Sequence, residues 1–397
     1  MKIIERAIFP MLKEALTDQR VVVLTGMRRV GKTTTLRWLL DQIPSENKIY
    51  LDLERMDQRA VFHEANYDLV LDYLRNLGMD VKQPMTVALD EIQYEPNLPS
   101  VVKYLHDNYP IKFLLTGSSS YYLKNLFSES LAGRKVVYEM SPLRFGEYLD
   151  FRGVPFRNRP MLDEMRFDVH EYERVKGLYD DFVTFGGLPD VVLEPEPEKK
   201  RELLQDIFNS YIKIDVSTMA DFRKMNELQK LISVLAVRIG NKLDYSKLSQ
   251  VIGITRPTLY TYLEFLEKTY IVHRLPAYSN ADHAAALGNK LYFLDNGIAS
   301  ILGRASEGAY FENAVFNQLK HYGDLAYLSR GNDFEIDFIL NRQKMTPTAL
   351  EVKVHPVESD HQKLKRVALR NHINQSWLVG RYPTPDFDDF LWGGSIF

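Results

Sequence analysis

A glycine-rich stretch directly after an apolar strand constrains this chain more than any other feature of its sequence. Residues 26–34 are Gly-Met-Arg-Arg-Val-Gly-Lys-Thr-Thr, and the run Val21-Val-Val-Leu24 precedes them. The spacing matches G-x-x-x-x-G-K-[ST], in which backbone wraps phosphate groups, the lysine reaches the β- and γ-phosphates, and the next hydroxyl binds Mg²⁺. The chain must therefore form a strand, a phosphate-binding loop and a helix N-terminus in succession.

The loop predicts a nucleoside triphosphate site, with ATP and Mg²⁺ as its ligands. Lys32 would stabilise phosphate charge and is therefore also a candidate catalytic residue, and Thr33 is a candidate metal ligand. The candidate nucleotide-binding residues of the loop are Gly26, Arg29, Gly31, Lys32, Thr33 and Thr34. The alternative is a glycine loop without a ligand.

Composition narrows the class of protein. With 397 residues, of which 45% are hydrophobic and 26% charged, the chain is predicted to fold into a few globular domains. It contains no cysteine, so any metal must bind oxygen or histidine ligands, as Mg²⁺ or Mn²⁺ do and structural zinc rarely does. No apolar run approaches the ~18 residues that cross a bilayer, and we expect a cytoplasmic protein without membrane contact. The net charge of −3 argues against a wholly basic nucleic-acid protein.

Two further strand ends carry polar residues suited to ATP chemistry. The apolar run 85–89 ends in Asp90 and Glu91. Asp90 would hold the Mg²⁺ ion, and Glu91 would orient and polarise the attacking water. The run 111–116 ends in Gly117-Ser-Ser-Ser120, and Ser118 is a candidate sensor of the γ-phosphate if this strand lies between the other two. The alternatives are a helix-capping turn at the acidic pair and a plain helix N-cap at Ser118.

The first 140 residues alternate between strand-like and helical runs, which is typical of a parallel α/β sheet. We predict strands at 21–25, 49–53, 86–90, 111–116 and 136–140, and helices around 67–77 and 101–108. A helical, charged stretch follows from 142 to 222. Within it, we predict the acidic run 194–200 to be a solvated turn.

From residue 228 to 294 the pattern predicts helices followed by a hairpin, as in a winged helix-turn-helix. Residues 243–253 read as one helix, residues 256–266 as a second, and 271–275 with 290–294 as the wing. Between Phe222 and Asn280 there are nine lysines and arginines against four acids. Arg256, Thr258, Tyr260 and Thr261 would begin the helix that contacts DNA. The alternative is a packing module.

Three carboxylates near the C-terminus suggest a second metal site. Glu312 lies on a predicted helix, Asp337 on the alternating strand 334–340, and Glu351 with Lys353 on the strand 349–354. Alternation places Glu351 and Lys353 on one strand face. Three carboxylates can hold Mg²⁺ or Mn²⁺, and the lysine can position a water. A solvated strand face would read the same way. We expect His355 and His361, close by, to be surface residues.

The whole set of motifs resembles that of an AAA+ ATPase of the additional-strand class. The resemblance rests on the phosphate loop, Asp90-Glu-Ile-Gln93, the polar end of the next strand, and Leu131-Ala-Gly-Arg134 before another strand. In such proteins an arginine in the position of Arg134 is expected to reach the γ-phosphate of a neighbouring subunit, which implies a homo-oligomer. The alternative for Arg134 is a surface or core-edge ion pair.

More specifically, the chain resembles the bacterial and archaeal group in which this ATPase is fused to a winged helix and a restriction-endonuclease-like domain. The C-terminal carboxylates and Lys353 are similar to the PD-(D/E)xK nuclease core, although Ile336 stands where that pattern has proline. The resemblance implies an α/β fold with an ATPase core at 1–141, a helical lid at 142–222, a winged helix at 223–295 and an endonuclease-like domain at 296–397.

Two functions follow from these observations. The first is an ATPase that acts on nucleic acid, most naturally DNA, with a possible metal-dependent nuclease site. The second is a regulatory NTPase switch that binds protein partners and carries a catalytically silent endonuclease-like scaffold.

Overall fold

The computed structural model describes residues 3–118, 131, 133–155, 166–216, 225–279, 287–330, 334–342, 345–383 and 389–397. These residues form two compact units. Unit 1 comprises Met1–Ser141, Tyr211–Ala220 and Lys268–Tyr270, and unit 2 comprises Pro142–Ser210, Asp221–Glu267 and Ile271–Phe397. The predicted boundary between residues 222 and 223 lies outside the described residues.

Unit 1 is built on a five-stranded sheet. In chain order its elements are α1 (Phe9–Ala15), β1 (Val21–Gly26), α2 (Lys32–Asp41), β2 (Lys48–Asp52), α3 (Met56–Arg59), α4 (Asp68–Asn76), β3 (Met85–Asp90), α5 (Leu98–Asn108), β4 (Ile111–Gly117) and β5 (Lys135–Met140). The strand order is β2-β3-β4-β1-β5, and all neighbours pair in parallel. The predicted parallel α/β sheet is confirmed.

Burial explains why these segments form central strands. Every residue of β1 and of β3 is buried, as expected for parallel strands covered on both faces by helices. The core on one side packs β-branched and leucine side chains of the strands against Val70 and Leu74 of α4 and Val101 and Leu105 of α5. These helices are amphipathic, so their apolar stripes cover the sheet.

The position of β4 determines what the sheet can do. β4 pairs with β1 on one side, where Thr25 faces Gly117, and with β3 on the other, where Leu89 faces Leu115. Because all three strands run in the same direction, their carboxyl ends meet at one edge. The glycine-rich loop, the acidic pair and the polar end of β4 therefore converge there, as ligand-binding residues do in open parallel sheets.

Unit 2 starts with helices and ends with strands. Its elements are α6 (Phe145–Phe151), α7 (Val169–Phe185), α8 (Pro189–Leu193), α9 (Pro197–Ser210), α10 (Met225–Ala236), α11 (Tyr245–Ile252), α12 (Arg256–Lys268), β6 (Val272–Leu275), β7 (Lys290–Phe293), α13 (Asn296–Leu302), α14 (Glu307–Leu319), β8 (Asp324–Arg330), β9 (Phe334–Asn341), β10 (Thr348–Lys353), α15 (Glu358–Arg370), β11 (Gln375–Gly380) and β12 (Phe390–Trp392).

Two sheets organise unit 2. β6 and β7 form an antiparallel pair. The other sheet has the order β12-β11-β10-β9-β8, in which β8, β9 and β10 are antiparallel neighbours and β10, β11 and β12 are parallel. Leu364 and Val367 of α15 pack on one face of this mixed sheet. The rings of Tyr292 and Phe316 pack against the ring of Phe338 of β9.

The helix pair α11–α12 is separated by a tight turn. Asp244 caps α11 by accepting a hydrogen bond from the Lys247 N–H, and Gly253 ends the helix with φ +85°. Glycine suits this left-handed C-cap because it lacks a Cβ. Thr255 then accepts from the Thr258 N–H at the start of α12. The predicted helices and hairpin of this segment therefore occur close to their expected positions.

One predicted turn is instead the start of a helix. The acidic run 194–200 was expected to be solvated, but α9 begins at Pro197, and Lys200 is buried and paired with Asp181 of α7. Proline at the first helical position costs no hydrogen bond, and the lysine gains an ion pair that sequence patterning does not reveal. Within the described residues, no helix combines the length and the apolar character needed to span a membrane.

Candidate nucleotide site and carboxylate cluster

The glycine-rich loop needs glycine at two positions for different reasons. At Gly26 the loop passes the end of β5 so closely that an added Cβ would lie 2.1 Å from the Met140 carbonyl oxygen. Gly31 has φ +95° and provides the N-cap of α2 in a left-handed conformation. These constraints bring the loop backbone and the first free N–H groups of α2 to the same edge.

Lys32 lies beneath the loop. Its Nζ donates hydrogen bonds to the carbonyl oxygens of Gly26, at 2.9 Å, and Met27, at 3.0 Å. Burial lowers the pKa of Lys32, while the charges of Glu91 and Asp215 oppose that shift. An ammonium group has three donors, and this one has two carbonyl acceptors among the described residues, so it is suited to binding a phosphate oxygen.

The other predicted loop residues differ in exposure. Thr33 is half-buried on the first turn of α2, whereas Thr34 and Arg29 are exposed. Arg29 also has a positive φ of 66°. The exposed Arg29 side chain lies on the outer side of the loop. Arg28, the residue before it, is partly buried instead.

Asp90 and Glu91 meet the end of β4. The buried Asp90 carboxylate accepts hydrogen bonds from Thr116 Oγ1 and, at 2.7 Å, from the Tyr50 hydroxyl. Thr116 Oγ1 in turn accepts from the Glu91 N–H at 3.0 Å. Glu91 has φ +54° and ψ +53°, a left-handed conformation that costs a non-glycine residue roughly 1–3 kcal/mol. Such strain is typical of functional sites, and neither Thr116 nor Tyr50 was among the predicted residues.

The residues present fit a magnesium ion at this edge. Thr33 offers a hydroxyl and Asp90 a carboxylate, both oxygen donors that Mg²⁺ prefers. Tyr50 and Thr116 hold the Asp90 carboxylate in place through hydrogen bonds, which is what metal ligands usually need from their neighbours.

Ser118 has a partner that the sequence did not reveal. Its hydroxyl donates to the Asp215 carboxylate at 2.6 Å, and Arg28 Nε donates to the other oxygen of Asp215 at 2.7 Å. Asp215 and Ser118 are both buried. Asp215 lies nearly a hundred residues further along the chain, in the π-helical turn Tyr211–Val216 that belongs to unit 1. No local motif marks it, so sequence reasoning had no signal for this contact.

Arg134 lies at the amino ends of the strands, opposite the carboxyl ends that carry the glycine-rich loop. The Val21 N–H, at the start of β1, donates to the Arg134 carbonyl at 2.7 Å, and Arg134 Nε pairs with Asp107 at 2.7 Å. The six residues of β1 span about 20 Å, so Arg134 is too far from Lys32 to serve the nucleotide site of its own chain. The ion pair is the alternative that the sequence left open. Ala132, in the same motif, lies outside the described residues.

The three C-terminal carboxylates do come together in unit 2. Glu312 of α14, Asp337 of β9 and Glu351 of β10 are close enough for their charges to interact. Burial, and after it the charge of Asp337, raises the pKa of both Glu312 and Glu351. Lys353 Nζ donates to Glu351 at 2.7 Å, and the Val352 N–H donates to Asp337 at 3.0 Å.

A buried lysine lies among the carboxylates of this region. Lys290 of β7 is 2% exposed, and its Nζ lies 2.7 Å from Glu335, 3.3 Å from Asp337 and 3.6 Å from Glu312. Among the described residues, no group of three or more aspartate, glutamate or histidine side chains is arranged to hold a metal ion. The structure therefore places an ammonium group among these carboxylates, and the assignment of Glu312, Asp337 and Glu351 as metal ligands stays a prediction.

The two nearby histidines differ. His355 is exposed, as expected, and its ring stacks on Tyr382. The expectation that His361 lies on the surface is wrong, because His361 is buried on α15 and its Nε2 lies 3.4 Å from Asp389. Its position on the inner side of an amphipathic helix explains the burial.

Comparison with protein families identifies the first part of the chain. Residues 18–149 match the model of the AAA domain, and residues 176–308 match a model described as a domain of unknown function. The chain thus contains an AAA domain, which includes the glycine-rich loop, the acidic pair and Ser118. The second match runs from α7 to the start of α14.

Relatives of known sequence share most of the chain. An uncharacterized protein of Methanocaldococcus jannaschii is 27% identical over 339 residues, which cover 82% of this chain and 73% of that protein. An uncharacterized protein of Haemophilus influenzae is 25% identical over 376 residues, 91% of this chain and 89% of that protein.

Solved structures are more distant. A Walker-type ATPase of Pyrococcus abyssi is 18% identical with a TM-score of 0.49, and the alignment covers 76% of this chain and 96% of that one. The ORC1 protein of Aeropyrum pernix, solved in complex with DNA, is 14% identical with a TM-score of 0.32, over 75% of this chain and 91% of that one.

Proposed function

We propose that this chain binds ATP with Mg²⁺ and hydrolyses it at the carboxyl edge of the five-stranded sheet. One observation carries the proposal: β4 lies between β1 and β3, which brings the glycine-rich loop, the acidic pair and the polar end of β4 together. The AAA domain match over residues 18–149 supports the same chemistry.

Each residue of the site has a role in this proposal. Lys32 and the backbone from Gly26 to Thr34 bind the triphosphate, and Thr33 and Asp90 would hold Mg²⁺, which supplies positive charge at the β- and γ-phosphates. Glu91 accepts a proton from the attacking water and orients it. Ser118 contacts the γ-phosphate side of the site.

Two substitutions test this proposal. Lys32→Ala should abolish ATP binding, whereas Glu91→Gln should retain ATP and lose hydrolysis by at least ~10²-fold, because it keeps the shape but removes the proton acceptor. Arg75→Ala, in an exposed ion pair with Asp72, is the control. Calorimetry and phosphate release are the measurements, and equal ATP affinity in the wild type and Lys32→Ala would refute the assignment.

We further propose that the segment from α11 to β7 contacts nucleic acid, most naturally DNA. The observation that favours this is a helix pair with a three-residue turn, followed by an antiparallel strand pair, with Arg256, Tyr260 and Thr261 exposed at the start of α12. These features support the proposal of a winged helix-turn-helix, a fold in which the second helix enters the major groove.

Salt dependence tests the nucleic-acid contact. Lys247→Glu combined with Arg256→Glu should weaken binding to duplex DNA and lower the slope of log affinity against log salt by about two, because each lost phosphate contact releases roughly one counterion fewer. Lys199→Glu with Arg201→Glu reverses two exposed charges on α9 and is the matched control. An unchanged slope would assign the segment to packing.

For the C-terminal part we propose a catalytically silent endonuclease-like scaffold. The contacts of Lys290 with Glu335, Asp337 and Glu312 support it, because the lysine supplies a positive charge to these carboxylates without a metal. The test is to incubate the protein with ATP, Mg²⁺ or Mn²⁺ and linear, branched and single-stranded DNA and RNA. Cleavage that disappears in both Asp337→Ala and Lys353→Ala, while ATPase activity persists, would instead establish a nuclease.

The proposed organisation is a helical lid at 142–222, a winged helix at 223–295 and the endonuclease-like scaffold at 296–397. We also propose a homo-oligomer, in which Arg134 acts on the nucleotide of a neighbouring subunit. The distance of Arg134 from the nucleotide site of its own chain supports action between subunits.

A further inference from the structure

Arg28 belongs to the glycine-rich loop, and the proposed function gives its side chain no role. Its Nε is bound to Asp215, but its Nη2 is buried and has no hydrogen-bond partner among the described residues. A guanidinium group carries five N–H donors, and leaving a buried charged donor unpaired is costly. An unpaired donor of this kind in a phosphate-binding loop is suited to an acceptor that a ligand brings.

The surroundings of Arg28 point to the γ-phosphate side of the nucleotide. The charges of Asp215 and Glu91 and the hydroxyl of Tyr94 interact with its guanidinium. Lys32 is also close enough for electrostatic interaction. Glu91 is the residue that would orient the attacking water, so a guanidinium beside it lies where charge develops in the transition state.

Asp215 explains how the guanidinium is held. A buried carboxylate in a site for a polyanion is unfavourable unless it is paired. Asp215 pairs on one side with Arg28 Nε and on the other with the Ser118 hydroxyl, so a single carboxylate fixes both side chains. Burial alone would lower the pKa of Arg28, but Asp215 outweighs it and the pKa is raised. The arginine is therefore charged and oriented before a ligand arrives.

We propose that Arg28 contacts the γ-phosphate of ATP through Nη2 and that Asp215 is a positioning residue which holds Arg28 and Ser118 for that contact. The inference rests on the proposed ATPase function. It predicts that the pair makes the site prefer a triphosphate over a diphosphate, since the Arg28 contact exists only with the γ-phosphate. It also predicts an effect on hydrolysis, because the same contact stabilises transition-state charge.

The experiment compares full-length variants for binding of ADP and of a slowly hydrolysed ATP analogue, and for kcat and KM of ATP hydrolysis. Arg28→Lys keeps the charge and loses the planar fork, and Asp215→Asn keeps the shape and loses the charge. Each should reduce the preference for the ATP analogue over ADP, and kcat, by about 10- to 100-fold, the worth of one hydrogen bond to a charged group. Asp215→Glu should restore part of both. Arg75→Ala is the control for loss of an exposed arginine.

A double variant separates function from folding. Arg28→Met with Asp215→Asn removes both charges together, so no uncompensated ion is left buried, and thermal melting should stay close to that of the wild type. Its ATP preference should be as low as that of Arg28→Lys. Wild-type kcat and ATP preference in the double variant, or in Arg28→Lys, would overturn the inference.

The Lys32→Ala variant distinguishes the two possible failures. If the wild type and Lys32→Ala bind ATP equally, the proposed ATPase function itself fails. If Lys32→Ala loses ATP while the Arg28 and Asp215 variants behave like the wild type, the site binds ATP without the Arg28 contact, and only the inference is rejected.

Discussion

At the residue scale, Lys290 lies close to three carboxylates that come from two elements of unit 2. Its Nζ contacts Glu312 of α14 and Glu335 and Asp337 of β9, and the Tyr292 hydroxyl donates to Glu312 at 2.6 Å. Burial would lower the pKa of Lys290, but these carboxylates outweigh it and the pKa is raised. The ammonium group is therefore a structural cation of this cluster.

Replacing Lys290 should show how much its ammonium group contributes to the stability of the fold. We expect Lys290→Met to lower the free energy of unfolding by about 3–5 kcal/mol at neutral pH, because it leaves Glu312 and Asp337, both largely buried, without the positive charge of Lys290. The same variant should gain affinity for Mn²⁺, so that added Mn²⁺ raises its melting temperature more than that of the wild type. Urea unfolding and thermal melts with and without Mn²⁺ measure both effects.

The control for this variant is Lys365→Met, which removes an exposed lysine paired with Asp389 in the same unit. It should change the unfolding free energy by less than about 1 kcal/mol, as exposed ion pairs do. Equal destabilisation by the two substitutions would show that the Lys290 contacts do not stabilise the fold.

Single residues also show what the sequence could predict. The spacing of Gly26, Gly31 and Lys32 is local, so the motif alone predicts the loop that the structure contains. Arg28, Asp215 and Lys290 act through contacts between segments far apart in the chain, and Lys290 had been assigned only to the wing strand. Such contacts leave no periodicity or spacing in the sequence, which is why sequence reasoning missed them.

At the element scale, the start of α13 depends on a buried carboxylate. Asp295 accepts hydrogen bonds from the N–H groups of Ile298, at 3.0 Å, and Gly187, at 2.8 Å. An added Cβ at Gly186 would lie 2.3 Å from its Oδ2, so the glycine pair before α8 and the cap of α13 fit each other. Burial raises the pKa of Asp295 to about 6, against the N–H groups that lower it.

Because the pKa of Asp295 is raised in the folded protein, the free energy of unfolding should change with pH in a definite direction. Between pH 3.8 and about 6 the native state binds more protons at Asp295 than the unfolded state does. Its contribution to stability is therefore fully present below pH 3.8 and is lost as pH rises through 6. Relative to Asp295→Asn, which does not titrate, the wild type should lose roughly 2–3 kcal/mol of unfolding free energy over this range.

Urea unfolding of the wild type and Asp295→Asn at several pH values checks this prediction. The asparagine variant also loses one acceptor, so a constant offset between the two curves is expected, and the difference in slope is the informative quantity. Parallel curves from pH 4 to 7 would contradict a raised pKa at Asp295.

Strands and helices were easier to predict from the sequence than contacts between distant residues. The five strands of unit 1 occur within one residue or so of the predicted ranges, because β-branched runs bounded by polar residues are a strong local signal. The start of α9 was missed because an acidic run containing proline reads as a turn, whereas Pro197 begins the helix and Lys200 is anchored by Asp181.

At the scale of the whole molecule, the proposed oligomer can be tested by mixing variants. Arg134→Ala should be inactive alone, and Glu91→Gln should also be inactive, but a mixture should regain activity because each subunit supplies what its neighbour lacks. ATP hydrolysis by mixtures of different ratios is the measurement. Lack of complementation, with an ATP-bound wild type that is monomeric by light scattering, would assign Arg134 to its ion pair with Asp107.

Unit 1, which contains the candidate nucleotide site, is not a continuous stretch of chain. Tyr211–Ala220 and Lys268–Tyr270 belong to unit 1, although the residues on both sides of each segment belong to unit 2. They bring Asp215 to Arg28, and they bring the Tyr270 hydroxyl within 3.0 Å of Thr25 Oγ1, next to the glycine-rich loop. A recombination event after Ser141 would therefore transfer the motif without two of the side chains that complete its surroundings. A transfer that keeps these two contacts has to include the chain as far as Tyr270.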